Sequence, residues 1–326
     1  MNTVMFVHNL FLTVRCSRLW LAVIALFLCL SITACAILGV NVLAAGEKDF
    51  IKWVDFSPTY AVLYRAMQYD IESYDTDQHI DWIMLLAAAA CKNGGNFTSK
   101  TSEIDAIAKR IQDGESPADI TGSMQYYDYY YEAYSAVLSE FLGETKDGYG
   151  LQVYSPIAYG YGYSHSDDFG NSRSYGFKRK HLGNDLIGSV GTPIIAVEDG
   201  IVEHLGWNKY GGWRIGIRSY DTKRYYYYAH LRKGHPYVEY LREGMEVKAG
   251  DVIGYLGMTG YSDTEDYNGM TVPHLHFGMQ LIFDESQIDS NYEIWIDVYN
   301  IVKLLQNQRS HVQKNADTGD YERADA

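Results

Sequence analysis

Between residues 181 and 283 the chain is written in short β-branched and aromatic runs cut by glycine: TPIIAVEDGIVEHLG, WRIGIRSY, RYYYYAHL, EVKAGDVIGYLG and HLHFGMQLIF. That pattern narrows the fold sharply. Such runs read as strands, and glycines at this spacing turn the chain back on itself, so antiparallel β structure is expected. Two pieces, VEDGIV followed by LG (197–206) and VKAGDVIGYLG (247–257), look alike and suggest paired hairpins of one design.

The preceding part has a different period. Residues 50 to 145 read as helical. HIDWIMLLAAAACKNGG carries apolar residues at helical spacing and stops at Gly94-Gly95. SEIDAIAKRIQDG opens on Ser102 as a cap, with Asp105 three residues on, and MQYYDYYYEAYSAVLSEFLG closes at Gly143. Residues 144 to 178, rich in Gly, Tyr, Ser and Asp, read as linker and loops. EIWIDVYNIVKLLQ (293–306) reads as a closing helix, and the last twenty residues as a polar, frayed tail.

Arg15 and Arg18 precede residues 19 to 45, which carry no charge. That run exceeds the ~20 residues a spanning helix requires, and the flanking charge places the N-terminus inside and the bulk outside. A signal-peptidase site flanked by Val42 and Ala44, or a lipoprotein box ending at Cys35, are alternatives that the residues leave open. Three of the four cysteines lie in or beside this run, so Cys91 has no intramolecular disulfide partner outside it. The net charge of -14 argues against nucleic acid as the partner, since phosphate binding relies on basic patches.

The expected organisation is therefore α+β. Residues 1–18 form a cytosolic N-terminus, 19–45 a transmembrane signal anchor, 46–145 a helical domain and 146–178 a linker. Residues 179–306 form a mainly antiparallel β domain with its closing helix, and 307–326 the tail. The expected location is the cell membrane, single-pass, with the C-terminal bulk extracytoplasmic.

Chemistry concentrates in the β segment. His274 and His276, in VPHLHFGM, leave the same face of a strand because side chains alternate with period two. His181 and Asp185, in HLGND, would stand about 13 Å apart on a straight strand, too far to share an ion. The chain must curl between them, and Gly183 permits it. A catalytic zinc typically takes three protein ligands and keeps one position open. One histidine of the pair, with His181 and Asp185, supplies such a set. The other, with His230 at the end of YYYYAHL, would stand beside it for proton transfer. Parity within that run puts Tyr226 and Tyr228 on the His230 face, lining a groove or packing on a neighbouring strand. No HExxH helix is present.

HLGND (181–185), GTPIIAVEDGIV (191–202), YAHL (228–231), GDVIGYLGMTG (250–260) and PHLHF (273–277) occur in an order that resembles the lysostaphin/LytM-type zinc metallopeptidases, peptidoglycan endopeptidases with an HxGxD…HxH signature. The resemblance covers roughly residues 165 to 285. It implies a groove-shaped Zn2+ site with His181, Asp185 and His276 as ligands, His274 and His230 as catalytic helpers, and Tyr175 as a tyrosine supporting the transition state. It implies peptidoglycan peptide as substrate. Gly278, where an acid commonly follows HLHF, is a departure, and TEDYNGMTV is an insertion expected to lengthen a groove wall. The whole arrangement is similar to cell-wall peptidases encoded with conjugative transfer systems, which implies local wall opening and an envelope or conjugation partner. The rival reading is a non-catalytic peptidoglycan-binding or assembly module. LLAAAACKNGGNF also resembles the segment of lysozyme-like transglycosylases that holds their catalytic glutamate, but Lys92 stands where that acid is expected.

Overall fold

The helical part consists of α1 (Tyr60–Ser73), α2 (Trp82–Asn93), α3 (Ser102–Gln112), α4 (Pro117–Thr121) and α5 (Tyr127–Leu138). The computed structural model describes residues 50–175 and 177–324. The expected N-terminus and anchor, 1–18 and 19–45, lie outside them. Among the described residues no helix is long and apolar enough to cross a membrane. Helix α2 is the centre of this part: Trp82 to Ala90 are all buried, so it is apolar on every side rather than along one stripe. Asp81 caps it by accepting from the Ile83 N–H at 2.8 Å, and Gly94, at φ 65°, closes it in the left-handed conformation that glycine tolerates. Helix α3 is capped by Thr101 rather than Ser102. The Thr101 hydroxyl donates to Asp105 at 2.9 Å instead of capping a backbone N–H.

Strands follow in chain order: β1 (Leu142–Thr145), β2 (Gly148–Leu151), β3 (Ser172–Tyr175), β4 (Phe177–Lys180), β5 (Asn184–Ile187), β6 (Pro193–Ile195), β7 (Gly200–Asn208), β8 (Gly212–Ser219), β9 (Arg224–Ala229), β10 (Glu246–Val247), β11 (Val252–Tyr255), β12 (His274–Leu281) and β13 (Ile294–Ile296). The main sheet runs β10-β7-β8-β9-β12-β13, with β5 also paired to β12, and its pairings are antiparallel. Leu275, Phe277, Met279 and Leu281 of β12 are fully buried in the core. His274, His276, Gly278 and Gln280 alternate with them and form the opposite face.

The expected closing helix over 293–306 is shorter than its span. Ile294, Trp295 and Ile296 pair with Leu281, Gln280 and Met279, because two β-branched residues flanking an aromatic complete the sheet edge. The helix proper is α6 (Tyr299–Leu304). The frayed tail is also corrected. Residues 312–323 form a hairpin of β14 (Val312–Lys314) and β15 (Tyr321–Arg323). Asp320 accepts from the Tyr255 hydroxyl at 2.8 Å and the Glu239 N–H at 2.7 Å, and Arg323 donates to the Ala249 carbonyl at 2.8 Å. A polar composition here reflects docking through hydrogen bonds rather than disorder.

Helices and sheet meet at a buried ion pair. Arg224 is fully buried and donates two hydrogen bonds to Glu198, each 2.8 Å, and one to the Ala136 carbonyl of α5, also 2.8 Å. Tyr226 donates to the same Glu198, and Tyr228 accepts from the Val197 N–H at 3.0 Å. Both tyrosines therefore pack inside and do not line a groove. Parity failed because His230 sits at φ 62°, so the backbone turns out of the strand between Ala229 and His230.

Candidate metal centre

The register of β12 with β5 places His276 directly opposite Asp185, and His274 opposite Ile187. His181 reaches the same point from the end of β4. Three donor atoms converge: His181 Nε2 lies 2.9 Å from Asp185 Oδ1 and 2.8 Å from His276 Nδ1, and the last two are 3.1 Å apart. Two ring nitrogens and a carboxylate oxygen this close require a proton or a cation among them, since lone pairs alone would repel. Burial works against a charged Asp185, but the contacts with His181 and His276 outweigh it and hold the carboxyl well below the ordinary range.

The curl between His181 and Asp185 has a spatial cause. A Cβ on Gly183 would lie 2.6 Å from the Phe277 carbonyl oxygen and 2.7 Å from His276 Cε1. Glycine is needed there because β12 passes too close for any side chain, rather than because of an unusual φ. Around this turn, Asp168 acts as a hub. Its backbone oxygen accepts from His181 Nδ1 at 3.1 Å, which fixes the tautomer and turns Nε2 inward. Its carboxylate accepts from Asn184 Nδ2 and Arg173 Nη2, both at 2.9 Å, and Arg173 also donates to Asp185 Oδ2 at 3.1 Å. Asp168 and Arg173 escaped the sequence reading. Asp168 lies in a loop without periodicity and Arg173 in the short strand β3, and only the acidic pair in YSHSDDFG hinted at the first.

His230 and His274 stand beside the cluster. Their ring centroids are 4.8 Å apart, and His230 lies 6.0 Å from His276. His230 Nδ1 donates to the Thr259 carbonyl and His274 Nδ1 to the Val272 carbonyl, both at 2.8 Å. Carbonyls only accept, so in the neutral rings Nε2 carries the lone pair on each histidine. His274 Nε2 is 3.8 Å from Asp185 Oδ1. Burial, and then the neighbouring His274 and His276, push His230 well below the usual histidine range, so it is neutral at pH 7. Tyr175 gives its backbone to β3, where it pairs with Phe177, and its side chain lies outside the described part of the structure.

These groups open onto a cleft of about 620 Å³ floored by β8, β9 and β12. Tyr225 and Tyr227, not their even-numbered neighbours, face it. Met270 of the insertion lines it, as does Tyr261 just before. At Gly278 a Cβ would lie 2.8 Å from the Leu182 carbonyl oxygen and 3.0 Å from the Trp295 indole, so backbone and indole together take the space where an acid was expected.

A family model described as Peptidase family M23 matches residues 179–290. Those residues are a peptidase family M23 domain. The M23 domain is similar to the L-Ala–D-Glu endopeptidase of Bacillus subtilis (strain 168), 39% identical over 117 residues, which are 36% of this chain and 34% of the relative. It is 41% identical over 98 residues to the glycyl-glycine endopeptidase ALE-1 of Staphylococcus capitis, covering 30% of this chain and 24% of that one. The chain thus spans 34% and 24% of these relatives' lengths. A solved structure from Ruminococcus gnavus, assigned as a glycyl-glycine endopeptidase lytM, superposes with TM-score 0.52 at 24% identity, over 78% of this chain and 89% of that one. That likeness concerns the fold, and it reaches well beyond the M23 domain.

Proposed function

We propose that the chain is a zinc-dependent endopeptidase acting on the peptide part of bacterial peptidoglycan. The observation that carries this is the convergence of His181, Asp185 and His276 to within 3.1 Å of one another. Tetrahedral zinc with bonds of about 2.0–2.1 Å separates its ligand atoms by roughly 3.3 Å, so these donors fit it with a small outward relaxation. Zinc held there would supply Lewis acidity towards a peptide carbonyl and towards water. The remaining work falls to protein groups. His274, anchored through Nδ1–H, turns its Nε2 lone pair to the cleft, accepts a proton from the attacking water and returns it to the departing amine, while neutral His230 presents its own Nε2 lone pair beside it. Asp168 and Arg173 hold His181 and Asp185 in place. The relatives' names, one for an L-Ala–D-Glu bond and one for a glycyl-glycine bond, support a peptide substrate in the wall.

The reading extends to a membrane anchor at 19–45, supported by that run's lack of charge, and to local wall opening for an envelope or conjugation complex. The enzymatic core is tested by digesting purified peptidoglycan with the full chain in detergent, with and without chelator, and with His276→Ala. New amino termini that vanish in both controls are expected. Binding without products would favour the non-catalytic module, and new reducing sugar ends a muramidase. For the latter, Lys92 is ion-paired on the surface with Glu103, which leaves no acid placed for glycoside cleavage at that position.

A further inference from the structure

The cleft continues past the His–Asp–His cluster, and its floor carries two hydrogen-bond donors that the protein leaves unmatched. Gln280, four residues after His276 on the same face of β12, is 4% exposed, and its Nε2 has no partner among the described residues. Arg214 of β8 also has a buried Nε without a partner. Both side chains line the cleft. Among the described residues no carboxylate pairs with Arg214, whereas Arg218 on the same face is tied to Glu203 at 2.8 Å and Glu285 at 3.3 Å. Arg179 has an unmatched Nη1 too, but its guanidinium is engaged: it donates to the Tyr261 hydroxyl at 2.6 Å and lies over the Tyr210 and Tyr261 rings.

Buried donors are seldom left without acceptors, and an unpaired cation in a half-enclosed cleft is rarer still. A ligand entering the cleft can supply the missing acceptor, and the unpaired positive charge of Arg214 favours an anionic one. Register places it near the chemistry. Ile215 pairs with Tyr228, so Arg214 stands level with Ala229, which pairs with His276. Arg214 is thus about 10 Å from His276 across two strand spacings, and Gln280 about 13 Å along β12. Either is within about four residues of the metal ligands for an extended peptide. Arg214, Tyr225 and Tyr227 line the same cleft. Of the acids that also line the cleft, Glu203 is paired with Arg218, Asp185 with His181 and Arg173, and Glu293 accepts from the Trp295 N–H at 2.8 Å, while Asp289 lies in the segment before β13.

We infer that Arg214 is a subsite for a carboxylate of the bound peptide, with Gln280, level with Tyr225 and Arg218, a separate donor further along β12. The chain then selects an acidic stem peptide over a neutral oligoglycine bridge. This rests on the peptidase reading and adds its substrate class.

The test is a binding measurement on chelator-treated full-length protein, so that no turnover intervenes. Two synthetic peptides are titrated, L-Ala-γ-D-Glu-L-Lys with a C-terminal amide, carrying either the free α-carboxylate of D-Glu or its carboxamide, together with pentaglycine amide. The acid form is expected to bind about tenfold or more tightly than the carboxamide, as a charge-assisted contact implies, with pentaglycine weakest. Arg214→Gln should bring the acid-to-amide ratio within about twofold, and an unchanged melting point checks that the fold is intact. Gln280→Leu should weaken the acid and carboxamide forms alike and leave their ratio unchanged. Equal binding of acid and carboxamide, a ratio that survives Arg214→Gln, or binding of none of the three peptides overturns the subsite. Zinc-dependent digestion of peptidoglycan is scored on the same preparation. A peptidase without this preference and a protein that cuts no peptidoglycan therefore give different results.

Discussion

At the scale of single residues, the site sets its protonation states through backbone acceptors. His181, His230 and His274 each commit Nδ1 to a carbonyl, and His276 alone turns Nδ1 to the cluster. Keeping His230 uncharged has a consequence for stability. Its pKa is pushed down in the folded protein, so below about pH 6.5 the unfolded chain binds a proton that the native state refuses. Stability contributed by neutral His230 is then fully present above that pH and is lost as pH falls. Metal-free protein should lose about 1.4 kcal/mol per pH unit below 6.5 on this account, and His230→Gln should flatten the slope. Thermal melting between pH 7.5 and 5 checks it, and an unchanged slope in the variant would remove His230 as the source. The shared face of His274 and His276 was legible because strand parity announces it. Asp168 and Arg173 were not, since the contacts of a loop residue and of a short strand follow from the folded path rather than from spacing.

At the scale of elements, the site depends on how closely β12 passes the turn between β4 and β5. Gly183→Ala pushes a methyl group into the Phe277 carbonyl and the His276 ring. It should cost about 1–3 kcal/mol in stability and loosen metal binding with it. Melting and zinc titration of the variant test this, and a wild-type melting point would show that β12 can move aside freely. The strands around HLGND and HLHF were readable from alternation, and α2 from its apolar run ending in Gly94-Gly95. The errors fell where two periods compete. IWI at 294–296 fits both the start of a helix and a sheet edge, and only the vacant side of β12 decides for the strand. The terminal hairpin was illegible because Asp320 and Arg323 hold it through partners more than sixty residues away. Tyr226 and Tyr228 were misplaced by one backbone angle at His230.

At the scale of the whole molecule, the helical part and the sheet are joined by charge as well as by apolar packing. Arg224 links Glu198 of the β part to the Ala136 carbonyl of α5 with no exposure to solvent. Glu198→Ala leaves that guanidinium without its bidentate partner and should destabilise the protein by about 3 kcal/mol. Denaturant unfolding measures it, and a loss below about 1 kcal/mol would mean that Asp221, 3.1 Å away, compensates. This seat accompanies a cleft in which His181, Asp185 and His276, from distant parts of the sequence, converge. The central claim is that these three share one ion. Zinc titration of the metal-free full chain, followed by X-ray absorption at the zinc edge, tests it most directly. The account predicts one zinc per chain, bound by nitrogen and oxygen at about 2.0–2.1 Å, and lost in both His181→Ala and His276→Ala. Stoichiometric zinc retained by both variants, or none bound by the unaltered protein, would contradict it.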